Sequence, residues 1–135
     1  MKKIIIGALL AGVVIVIMGM VFGALSADMY KLSPKVLWKP LGGDWFTKMV
    51  IFDFVTGLIL AYVFSTIKSS LPGKGLMKGL SFGLIIFVVG TFLGLTMTYL
   101  TMAIRTKMIF VWALNGLINY VLAGLIFEVI DEKVS

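Results

Sequence analysis

Asp53 is the residue with the most chemistry to offer. It is the only charged side chain in the apolar stretch 50–67, VIFDFVTGLILAYVFSTI. An acid inside a bilayer costs at least a few kcal/mol unless it is paired or hydrated. A carboxylate kept there suits the binding or passage of a proton or a cation. The structural alternatives are an ion pair with Arg105, which four membrane crossings would bring to the same side, or a carboxylate that simply reaches the interface. Asn115 and Asn119 come next, one helical turn apart in the stretch 108–130. Two amides at that spacing can line a polar path, or serve as interhelical glue worth about 0.6–2 kcal/mol. Glu128 closes the same stretch and is expected to pair with interfacial lysines, while Asp131 and Glu132 read as a solvated tail. Thr91, Thr96, Thr98 and Thr101 can bond their own helix backbone and carry no assigned role.

Other chemistries lack their residues. The 135-residue chain has no His and no Cys. It therefore offers neither the commonest general base nor a thiol nucleophile, and no zinc or haem ligand of those types. Gly73-Lys74-Gly75 lacks the spacing of a phosphate-binding loop. No catalytic residue, metal or cofactor is expected, and the chain reads as non-enzymatic.

The elements that must position Asp53 follow from composition. The chain is 61% hydrophobic and only 13% charged, with a mean hydropathy of +1.13. Soluble domains carry about 25% charged residues, so this chain cannot cover a water-facing surface. Crossing a hydrocarbon core about 30 Å thick takes roughly 20 apolar residues of helix. Four stretches qualify: 4–25, 50–67, 79–104 and 108–130. None alternates as a barrel strand would, and backbone groups in lipid must pair within each segment. The expectation is an all-α membrane protein, a single four-helix bundle over residues 1–135. The first stretch is too long for a signal peptide, whose apolar core runs about 7–15 residues, and is read as a retained helix.

The connections sharpen this picture. Residues 26–49 contain Tyr30, Trp38, Trp45 and four lysines, with Ser33-Pro34 shaped like a helix start. Such aromatic and lysine content suits the headgroup layer, so a short interfacial segment is expected at 34–39. Trp38, Trp45 and Trp112 are the expected interfacial anchors. The net charge of +6 divides evenly between the two membrane sides. It is spread over interfacial loops, where it attracts anionic lipid rather than nucleic acid. Lys2 and Lys3 ahead of the first helix favour both termini in the cytoplasm of a prokaryotic inner membrane. The even split leaves dual topology as the alternative.

Helices in lipid associate by close contact through small residues. The third stretch aligns Gly79, Gly83, Gly90 and Gly94. The first aligns Gly12, Gly19 and Gly23, and the second places Gly57 on the Asp53 face. Partners beyond the lipid bilayer are therefore expected: other membrane subunits or further copies of the chain. In outline the chain resembles small four-helix membrane proteins of unknown function from bacteria and archaea. The likeness rests on a Gly-rich first span, a first loop with Tyr30, Ser33-Pro34 and Trp38, and Leu71-Pro72-Gly73 before Gly79-Leu80-Ser81-Phe82-Gly83. That resemblance implies no activity. The favoured function is an accessory or assembly subunit packing through its glycine faces. The alternative is a small channel or transporter using Asp53, Asn115 and Asn119.

Overall fold

The computed structural model describes residues 1–25, 43–101 and 106–133. Every regular element within them is helical. α1 runs over Lys2–Leu25, and α2 over Trp45–Ile67 with a 3-10 turn at Lys68–Ser70. α3 covers Leu76–Thr101 and α4 Thr106–Lys133. All four are long and apolar enough to cross a membrane, and the chain is an all-α integral membrane protein built as a four-helix bundle. The expected interfacial segment at 34–39, Trp38 and Arg105 lie outside the described residues.

Two helices extend beyond their apolar stretches. α2 starts at Trp45, a full turn before residue 50, with Asp44 and Lys48 paired at 3.0 Å across its first turn. α4 continues to Lys133, because Glu132 and Lys133 are good helix formers that need no apolar surroundings. Between α2 and α3 the chain reverses through Leu71-Pro72-Gly73. Gly73 and Gly75 hold φ of 90° and 58°, a region that glycine enters without steric penalty. Ser81 Oγ fastens this turn, lying 2.8 Å from Met77 O and 3.2 Å from Pro72 O.

α1 packs along α2 and α4, and α4 packs along Leu76–Ile86 of α3. The small residues permit close approach. A Cβ on Gly57 would lie 2.7 Å from Ala8 O, and one on Gly79 would lie 2.5 Å from Gly124 O. Real Cβ atoms do not approach so closely, so these backbones touch only because no side chain intervenes. Phe64, Phe82 and Phe127 from α2, α3 and α4 meet in a triad with ring centroids 5.2–5.9 Å apart. Ala8, Ala11, Ala61 and Ala123 complete this dry core, in which Ala11 and Phe82 are 0% exposed.

α3 is not a uniform helix. Residues Phe87–Phe92 form a π-helical segment between the α-helical stretches Leu76–Ile86 and Leu93–Thr101. Beyond it α3 contributes no buried residue and touches α4 sparsely. The bundle is thus tight towards the terminal end and loose towards the other.

Candidate functional site

A cavity of about 240 Å³ lies in the loose half of the bundle. α1 supplies Ile15; α2 supplies Phe52, Asp53 and Thr56; the π segment supplies Thr91. α4 supplies Trp112, Asn115, Gly116, Asn119 and Tyr120. Their depths agree. Asp53 and Asn115 each lie between two and three helical turns inside the starts of α2 and α4. Thr91 and Ile15 lie nearly three turns before the ends of α3 and α1. The antiparallel connections bring those four helix ends to one side, so the polar residues share one level of the bundle, with Asp53 three residues inside the apolar stretch 50–67. Asp53, Asn115 and Asn119 are therefore walls of a single cavity.

The hydrogen bonding within this layer is incomplete. Asn119 Nδ2 donates to Asn115 Oδ1 at 3.2 Å. Asn119 is only 8% exposed, yet its Oδ1 accepts no hydrogen bond among the described residues. Asp53 is half-buried. Among the described residues its carboxylate has no hydrogen bond or ion pair. Thr56, Thr66, Thr96, Thr98 and Thr101 each donate to the carbonyl four residues back. Thr91 does not. Its methyl and hydroxyl instead face Gly116, where a Cβ would meet them at 2.9 and 3.0 Å. The altered winding of the π segment releases this hydroxyl from the backbone and turns it towards α4. A polar cavity of this size accommodates several waters.

The opposite end is closed electrostatically. Lys3 Nζ donates to Asp131 O at 2.9 Å and Oδ1 at 3.3 Å, and Lys68 Nζ donates to Asp131 Oδ1 at 2.6 Å. Asp131 thereby joins α1, α2 and α4, and is not the solvated tail residue the sequence suggests. Glu128 takes no such pair among the described residues. It is 5% exposed, with Oε2 lacking a hydrogen-bond partner there. Its place in α4 turns it inward, whereas Asp131 meets the lysines at the rim.

The remaining expected residues divide. Gly12, Gly57, Gly79 and Gly83 meet neighbours at close range: the Phe54 ring, Ala8, Gly124 and Val121. Gly90 has only Tyr120 Oη, at 3.9 Å from its Cβ position, while Gly19, Gly23 and Gly94 meet nothing within 4 Å among the described residues. These last four lie in the loose half of the bundle, where no helix comes near enough. Gly7 and Gly124, absent from the expected set, are closely packed, as is Gly116 on the flank of the Asn115–Asn119 face. Trp45 stands exposed at the head of α2, edge-on to Phe46 at 5.9 Å. Trp112 also lines the cavity, more than a full turn beyond the start of α4. Thr56, Thr91, Trp112 and Tyr120 are site residues that the sequence alone does not assign. Their common depth, counted from one end of all four spans, is the signal that could have found them. The chain matches no protein-family model, no curated protein and no solved structure.

Proposed function

We propose that this chain is a non-enzymatic membrane protein that binds and moves a small cationic solute through the Asp53 cavity. The observation that carries the reading is Asp53 itself. Its carboxylate stands at membrane depth without a structural partner among the described residues, in a cavity shared with Asn115 and Asn119. An uncompensated acid at this depth costs several kcal/mol, and of Asp53 and Glu128, which have no ion pair among the described residues, Asp53 is the one that faces this cavity. Hydration in the cavity and a transient cation would supply what the described residues do not. With both termini in the cytoplasm of a prokaryotic inner membrane, the cavity lies nearer the outer face. The dry Phe64–Phe82–Phe127 layer then separates it from the cytoplasm, and movement across requires that layer to part.

The test is charge translocation by proteoliposomes on a solid-supported membrane, with protons, sodium, potassium and an organic ammonium ion offered in turn. Wild-type protein gives a transient current for at least one of them. Asp53→Asn, extracted in equal yield, gives none. An undiminished current in Asp53→Asn refutes the reading.

A second reading has one observation in its favour. Gly19, Gly23 and Gly94 present small-residue surface with nothing within 4 Å among the described residues, which suits an accessory subunit docking on a partner helix. Its mark is a foreign subunit retained in native mass spectrometry, together with absent currents from the protein alone.

A further inference from the structure

The cavity's unmatched groups specify the ligand more narrowly than charge alone. The geometry points to a protonated amine, an ammonium ion carrying at least one N–H and an apolar body, as the occupant of the Asp53 cavity. This rests on the reading of that cavity as the functional site.

Three observations converge. The first is charge. Among the described residues Asp53 is the only charged residue of the cavity wall, so a monocation would neutralise it. The second is hydrogen bonding. The nine-tenths-buried amide oxygen of Asn119 has no donor among the described residues, while its Nδ2 donates to Asn115 Oδ1. A buried acceptor left unmatched costs about 1–3 kcal/mol, and an N–H from the ligand would satisfy it. The Thr91 hydroxyl, released from its helix by the π segment, is a further acceptor in the same wall. The third is shape. At about 240 Å³ the cavity is far larger than the contact cage a bare alkali ion requires. Trp112 and Tyr120 line it with aromatic rings, and Phe52, 69% exposed, stands at its rim. Such rings attract cations over their faces by about 0.5–2 kcal/mol. A carboxylate, an orphaned carbonyl oxygen and aromatic rings together match an organic ammonium better than they match sodium or a proton.

The N–H requirement gives the test. Wild-type protein in nanodiscs is titrated calorimetrically with cyclohexylammonium and with its N,N,N-trimethyl counterpart, which has the same ring and charge but no N–H. Sodium and potassium are titrated in parallel. Cyclohexylammonium is expected to saturate at one per chain and to bind at least tenfold more tightly than the trimethyl ion. Asn119→Leu should remove that preference, and Asp53→Asn should weaken both ions at least tenfold. Equal affinity for the two ammonium ions in wild-type protein, or saturable binding of sodium or potassium alone, overturns the proposal without recourse to any variant. The two readings fail separately. Asp53-dependent currents carried by sodium or protons, with no amine binding, sink the amine and leave transport standing. Amine binding with the expected preference but no current for any ion sinks transport and leaves the site.

Discussion

Asp53 and Asp131 are both carboxylates on membrane-spanning helices, yet their surroundings give them opposite tasks. Asp131 accepts from Lys3 and Lys68 and holds three helices together at the terminal end. Asp53 faces a cavity and holds nothing among the described residues. Sequence alone singles out Asp53, because one charge in an apolar run is conspicuous. It cannot single out Asp131, whose partners lie 63 and 128 positions away and come together only on folding. The lysine pairs are partly exposed, and such pairs contribute about 1 kcal/mol or less each. Asp131→Ala should therefore lower the stability of the detergent-solubilised protein by about 1–2 kcal/mol, read from its unfolding midpoint in a denaturing detergent titration. Asp53→Asn should leave that midpoint unchanged or raise it, since it removes a charge that has no ion pair among the described residues. A large loss in Asp53→Asn would mean that the carboxylate has a structural partner after all.

Hydropathy delimits the four helices because the bilayer imposes their length and apolarity. It says nothing of how they are wound or which faces meet. The π segment of α3 leaves no mark in Phe87-Val88-Val89-Gly90-Thr91-Phe92 that composition or spacing would flag, yet it aims Thr91 at the cavity. The glycine stripes show the same limit. Helical spacing places Gly79, Gly83, Gly90 and Gly94 on one face, but only the first two lie in the tight half of α3, against Gly124 and Val121. Whether a small-residue face is covered depends on the tilt of its neighbour, which local sequence does not encode. Substitutions should report the difference. A Cβ on Gly124 would collide with Gly79 O. Overpacking of this kind costs about 1–3 kcal/mol, so Gly124→Ala should lower the thermal midpoint in mild detergent. Gly94→Ala, with open space around it, should leave that midpoint where it was. Equal losses at the two positions would contradict the division into tight and loose halves.

As a whole the molecule is a bundle more tightly packed at one end than at the other. The tighter end combines the Asp131 ion pairs with the apolar layer around Phe64, Phe82 and Phe127. The loosened end holds the polar cavity. Such asymmetry gives a functional direction only if the protein inserts one way, and the evenly divided charge of +6 does not enforce this. The proposed orientation rests on the position of Lys2 and Lys3 ahead of the first helix. A reporter fused to the C-terminus should accordingly show a single, cytoplasmic location, and two comparable populations would indicate dual insertion. The central claim is that the Asp53 carboxylate serves a moving cation rather than the fold. Charge translocation in proteoliposomes, compared between wild type and Asp53→Asn at equal incorporation, tests it most directly. The account predicts a transient current that vanishes with the carboxylate; an undiminished current in Asp53→Asn would contradict it.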